Sequence, residues 1–177
     1  EISMSRLEQN KTYFLSENVS GARNGECRFR FEIARSAICF YFDAEDEDLV
    51  SPFTQDNEDI WQGDAVEVFI SPDGDLKNYK ELEVSPFGVR FYGAIRNEDG
   101  KTPVLTKQAP PFAARAERTE KGYRVSIELP LSALDGFDER KMKLNAFRLD
   151  KKADGRQLLY ALNPTLCASF HRPAFFM

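Results

Sequence analysis

"DIWQGDAVEVFISP", Asp59 to Pro72, holds the only tryptophan of the chain, Trp61, among acids and a glycine. Directly after it, Val66, Val68 and Ile70 alternate with Ala65, Glu67 and Phe69. Successive strand residues point to opposite sides of a sheet, so this pattern reads as a strand with one apolar face and one mixed face. The indole stands at the entrance of the strand, and a carboxylate, Glu67, interrupts its middle. Neither position is what packing a core requires.

The same period of two recurs outward from this strand. Phe29 and Phe31 alternate with Arg28 and Arg30, and Phe40 and Phe42 with Cys39 and Tyr41. Leu82 and Val84 alternate with Glu81 and Glu83, and Val125 and Ile127 with Arg124 and Ser126. Turn residues punctuate the runs at Ser71-Pro72-Asp73-Gly74, Pro86-Phe87-Gly88, Asn97-Glu98-Asp99-Gly100 and Lys121-Gly122. The best helical candidate is Leu131 to Leu134, after Pro130, and the proline-rich segment 102–112 is expected to be a connection. Many short strands with almost no helix predict an all-β antiparallel β-sandwich, jelly-roll-like, with one or two short helical turns. A chain of 177 residues suits a single domain over 1–177.

Composition narrows the function. At 42% hydrophobic and 12% aromatic the chain can bury a sizeable core. A net charge of −5 argues against nucleic acid and against anionic membranes as partners. No apolar run approaches the length that spans a bilayer. Cys27, Cys39 and Cys167 cannot all pair within the chain. A Cys27–Cys39 bridge is open, but the odd count favours a reducing, cytoplasmic setting. No signal peptide is visible; the chain begins at Glu1, so secretion stays open if an upstream segment was removed.

If strands 64–71, 79–85 and 88–95 are neighbours, Val66, Val68, Ile70, Leu82, Val84, Val89 and Phe91 share the core side. The other side then shows Glu67, Phe69, Glu81, Glu83, Arg90 and Tyr92, aromatics mixed with polar groups of directional bonding. The bland alternative is a partly covered outer face with a few ion pairs.

The block Trp61-Gln62-Gly63-Asp64-Ala65-Val66-Glu67-Val68-Phe69 resembles the signature of the family 9 carbohydrate-binding modules and, more widely, of DOMON-like sandwiches. "YKELEVSPFG" from Tyr79, "GYRVSIELPLSAL" from Gly122, "RQLLYALNP" and "SFHRPAFF" follow the same plan, so the resemblance runs from about Cys27 to Phe176. It implies a non-catalytic β-sandwich whose partner is carbohydrate, with a place in a larger carbohydrate-active enzyme system. In such modules two tryptophans clamp a sugar ring and polar side chains hold its hydroxyls. Trp61 matches the first tryptophan and Glu67 a hydroxyl-binding glutamate. Tyr160 is the nearest substitute for the second tryptophan, with Asn163 as a polar partner close by, and the family's arginine on the next strand stands here as Glu83 or a neighbour.

The chemistry agrees with these assignments independently. A sugar ring exposes flat patches of C–H groups that an indole face can cover. A carboxylate can bridge two adjacent hydroxyls. The alternatives are Trp61 capping the end of the core, Glu67 ion-paired with Arg90 or Arg148, and Tyr160 packed in the core or a turn.

Other constellations carry weaker signals. The acidic loops 43–48, 56–64 and 71–75 offer oxygen ligands without EF-hand spacing, so structural calcium is open and solvated acids are expected. His171, the only histidine, stands in "FHRP" without any nucleophile motif and reads as a structural residue. Three rivals stand beside the sugar module. They are a glycosidase using a pair among Glu67, Glu81 and Glu83, a haem-binding sandwich using His171 with Met4, Met142 or Met177, and an interaction module that kept only the fold.

Overall fold

The computed structural model describes residues 6–177; Met4 lies outside them. Among the described residues, twelve strands form two antiparallel sheets, accompanied by three short 3-10 turns. They are β1 (Tyr13–Phe14), β2 (Ser16–Glu17), β3 (Cys27–Ile33), β4 (Ala37–Glu45), β5 (Ala65–Ser71), β6 (Asn78–Val84), β7 (Arg90–Arg96), β8 (Val104–Lys107), β9 (Ala113–Arg118), β10 (Gly122–Pro130), β11 (Lys143–Lys151) and β12 (Gln157–Ala161). One sheet has the order β1-β3-β4-β10-β9, the other β2-β12-β11-β5-β6-β7-β8. The expected sandwich is present, and the helical candidate after Pro130 is a single 3-10 turn, Leu131–Ala133. The segment 102–112 is more than a connection, because β8 pairs with β7 at the edge of the larger sheet.

The core between the sheets follows from the period-two residues. Phe29, Phe31, Phe40, Phe42, Val66, Val68, Val125 and Ile127 are all buried in it. Phe29 packs against Phe42 with ring centroids 5.0 Å apart. The smaller sheet alternates buried and exposed residues along β10, as expected for a sheet with one wet face.

The larger sheet behaves differently. Every residue of β5 is buried. Its second face carries Phe69, Tyr79 and Phe147, and the closing segment after β12 lays Phe170, His171 and Phe176 over them. Phe170 stacks on Phe147 at 4.1 Å and His171 on Phe69 at 4.6 Å. Asn18 clamps this segment from the other end: its amide donates to Thr165 Oγ1 and the Cys167 carbonyl, both at 2.9 Å. The two faces of β5 are therefore both interior, one against the other sheet and one against the chain's own tail.

Register corrects one expectation. Val84 pairs with Arg90, Glu83 with Phe91 and Leu82 with Tyr92. Phe91 thus shares the outer face with the glutamates, while Tyr92 turns into the core beside Phe112. The tight turn after β6, closed by Gly88 N–H to Ser85 O and Ser85 N–H to Val89 O, leaves five residues between the paired ends and so fixes the parity. The Cys27–Cys39 bridge is also excluded. Cys27 pairs with Ala44 and Cys39 with Glu32, far apart along the sheet, and all three cysteines are free.

Candidate functional site

The Trp-Gln-Gly-Asp block explains its own shape. A 3-10 turn, Ile60–Gln62, buries Ile60 completely and turns the next side chain outward, leaving Trp61 45% exposed. Gly63 follows because the backbone passes close to β4's trailing loop: a Cβ there would lie 2.6 Å from the Val50 carbonyl. Asp64 then pins the junction, accepting the amides of Val50 at 2.6 Å and Lys151 at 2.7 Å. The Trp61 carbonyl is held by the Gln157 amide at 2.7 Å. The indole is a rim residue on a fixed backbone, not a cap on the core.

Beside it opens a cleft of about 350 Å³. Trp61 lines it together with Phe91 of β7, Leu105 of β8, and Phe170 and His171 of the closing segment. The floor includes Glu67 and Glu81. Glu67 of β5 lies directly across from Glu83 of β6, and Glu81 sits two residues further along the same face. One carboxylate oxygen from each of the three can be chosen so that all lie within 4.8 Å of one another. Glu83 is fully buried, Glu67 is 2% exposed and Glu81 7%.

Like charges opposite one another on a sheet repel, and burial penalises the charged form further. Burial, reinforced by Glu83 and Glu81, raises the Glu67 carboxyl well above the usual range. Burial likewise raises Glu83, with Glu81 and Asp59 adding to it, and raises Glu81. The Glu67 and Glu81 carboxyls are close enough to interact by hydrogen bonding, which raises Glu67 further and offsets part of the rise that burial imposes on Glu81. Both Glu83 oxygens lack any hydrogen-bond partner.

Neither arginine expected as a partner for Glu67 reaches it. Arg90 pairs with Asp56 at 2.7 Å, and Arg148 faces the inter-sheet side among Asp46, Asp150 and Glu26. Lys107 is tied to Asp59 at 3.1 Å, over the Phe91 ring.

Trp61 and Glu67 are thus brought together. Tyr160 and Asn163 are not. Tyr160 pairs with Arg148, which in turn faces Val66, so its ring is on the inter-sheet side of the larger sheet and buried, with Arg148 5.7 Å from its centroid. Asn163 donates to the Phe175 carbonyl at 2.8 Å and exchanges backbone contacts with the Asn145 amide, holding the closing segment down. The aromatic side chains that line the cleft together with Trp61 are instead Phe91, Phe170 and His171. The signal for the last two was present in "SFHRPAFF", but a tail folding back over a sheet leaves no periodicity to read. His171 is a structural residue whose Nδ1 bonds the Tyr79 hydroxyl at 2.7 Å, and burial, with Arg172 nearby, lowers it to about 4. Met142 packs on the inter-sheet core, on the far side of the sheet from His171.

A second acid cluster, Asp46, Asp64 and Asp150, joins the loop after β4 to β11. Arg148 and Lys152 already face it, Lys152 at 3.0 Å from Asp150, and both Asp64 oxygens are committed to amides. With two protein cations in place and one carboxylate spent, this cluster does not fit the six to eight oxygens that calcium requires. The remaining loop acids are engaged locally: Asp56 with Arg90, Asp59 with Lys107, Asp75 with its own turn.

Several known proteins are similar to this chain. A protein from Arthroderma benhamiae, named as an extracellular protein, is 29% identical over 163 residues, 83% of this chain and 69% of that protein. Among solved structures, a candidate carbohydrate-binding protein from Bacteroides uniformis matches 94% of this chain and 84% of its own, with a TM-score of 0.74 at 17% identity. A family 9 carbohydrate-binding module from Caldicellulosiruptor kristjanssonii, solved with cellotriose, matches 93% of this chain and 78% of its own, with a TM-score of 0.60 at 15% identity. Residues 7–176 match the family described as carbohydrate family 9 binding domain-like, and the chain belongs to that family.

Proposed function

We propose that this chain is a single non-catalytic carbohydrate-binding module, which seats one sugar residue or glycan end in the cleft beside Trp61. The observation that carries this reading is the meeting of an exposed indole and the Glu67–Glu81 carboxyl pair around one cleft of about 350 Å³. The ring supplies an apolar platform for sugar C–H groups, and the carboxyls bond hydroxyls. Phe170 is the opposing apolar surface in this reading. The solved relative holding cellotriose supports the ligand class. A single sugar offers little area and few hydrogen bonds, so affinity should be on the order of micromolar to millimolar.

A glycosidase would also gather carboxylates with raised pKa values, and these are raised. Such enzymes need one acid and one ionised partner, separated to admit the glycosidic bond. Here the Glu67 and Glu81 carboxyls crowd each other on the same side of the cleft, and Glu83 is fully buried next to them. That arrangement favours holding over cleaving.

Calorimetry with a panel of mono- and disaccharides tests the reading. Trp61→Ala should abolish binding while changing stability by no more than about 0.5 kcal/mol, because the ring is on the rim. Glu67→Gln should weaken binding less, since one acceptor oxygen survives. A wild type that binds no sugar, or a Trp61→Ala variant that unfolds, would reject the reading.

A further inference from the structure

The three glutamates at the floor pose a problem that a neutral sugar does not solve. No Lys, Arg or His among the described residues forms an ion pair with Glu67, Glu81 or Glu83. The nearest cation with influence, Lys107, is held by Asp59 and the Asn57 carbonyl. Glu83 is fully buried, with both oxygens unpartnered, yet it stands within reach of Glu67 and Glu81, which open on the cleft. Buried polar atoms are normally satisfied, so an orphaned carboxylate beside an open cleft marks the place of a missing donor.

We propose that the module selects a cationic sugar, one carrying a free amine such as 2-amino-2-deoxyglucose, with its ammonium group seated over the Glu67–Glu81–Glu83 cluster. This rests on the sugar-binding reading of the cleft and names the ligand class. An ammonium presents three donors and no acceptor. Three carboxyls that close together are its complement. Donors at about 2.8 Å in tetrahedral directions place their acceptors roughly 4.6 Å apart, which falls inside the 4.8 Å upper bound on the separation of the three glutamate oxygens. One positive charge also offsets the mutual repulsion of the three carboxyl groups. Trp61 and the apolar walls argue for an organic cation rather than a bare ion. A metal would occupy the floor and leave the indole without a role, whereas an amino sugar uses both ends of the cleft.

The experiment is a calorimetric comparison of glucosamine, glucose, N-acetylglucosamine and ethanolamine at pH 7, with chelator present and again with millimolar calcium. Glucosamine should bind at least tenfold tighter than glucose and N-acetylglucosamine, and far tighter than ethanolamine, which has the amine without the ring. In Glu83→Gln the preference over glucose should fall to threefold or less. Should that variant misfold, Glu81→Gln provides the same comparison at a residue nearer solvent. Glucose or N-acetylglucosamine binding as tightly as glucosamine would overturn the inference while leaving the sugar site standing. Ethanolamine binding as well as glucosamine would overturn it in favour of a simple amine site. Binding that requires calcium, or that chelator abolishes, would reassign the cluster to a metal. No binding of any probe would remove the sugar site as well.

Discussion

Glu83 shows how a single side chain can work against the fold that contains it. Its carboxyl is fully buried opposite Glu67, without a hydrogen bond, and burial raises its pKa well above the usual range. A group whose folded pKa is raised favours the fold below its unfolded value and opposes it as pH rises through the folded value. Glu83→Gln keeps the shape and removes that titration. The variant should therefore melt higher than wild type at pH 8 and close to wild type at pH 5, as thermal unfolding at the two pH values would read. A variant less stable than wild type at pH 8 would mean that Glu83 has an unrecognised partner. Trp61 shows the opposite economy, an apolar side chain spent at the surface. Gly63 and Asp64 fix the backbone beneath it so that the ring stays on the rim.

At the scale of elements, the strands that face the other sheet and the tail that covers the larger sheet should fail differently. Phe40 on β4 is fully buried between the sheets, so Phe40→Ala should cost about 3–5 kcal/mol of global stability. Phe176 is also buried, edge-on to Tyr79 at 5.1 Å, but it anchors the segment that carries Phe170 and His171. Phe176→Ala should loosen that segment and weaken sugar binding more than its loss in melting temperature would suggest. Calorimetry and a melt on both variants check this; equal effects on binding at equal stability would deny the tail its role as a wall. The same contrast explains what could be read in advance. Phe29, Phe40, Val66 and Val125 declare themselves through alternation, because one face of each strand meets one core. Glu67, Phe69 and Phe147 sit on a face that the tail buries, and no local period announces a cover arriving from elsewhere in the chain. Tyr160 was misplaced for a related reason. Parity along β12 decides its side, and only pairing with Arg148 and Val66 reveals that parity. Phe91 and Tyr92 exchanged faces because a turn's residue count sets phase, and β8 escaped notice because an exposed edge strand has no apolar rhythm.

For the molecule as a whole, the titrating groups pull stability in two directions. Glu67, Glu81 and Glu83 are raised, Asp46 is raised by burial and by Asp150, and burial pushes Asp64 up to about 7 against its two amide bonds. All five favour the fold in their neutral forms. Their contribution is complete below the ordinary carboxylate range and is lost as pH rises; Asp64 loses its share by about pH 7 and the buried glutamates at higher values. His171, lowered to about 4, works the other way: its contribution is present above its ordinary value near 6.5 and is lost as pH falls through 4. Asp56 and Asp75 have lowered carboxyls, held by Arg90 and by the Asn78 turn, and they add to the loss at low pH. Five raised groups against three lowered ones, two of which act only at low pH, favour mild acid. The melting temperature should therefore rise from pH 8 to about pH 5.5 and fall again below about pH 4. General repulsion in a chain of net charge −5 would also destabilise it at high pH, but surface repulsion is screened by salt and buried titration is not. Repeating the series at high ionic strength separates the two. The slope between pH 5.5 and 8 should survive added salt and shrink in Glu83→Gln. A slope that salt abolishes, or that Glu83→Gln leaves untouched, would place the pH dependence on the surface and relieve the glutamate cluster of any energetic consequence.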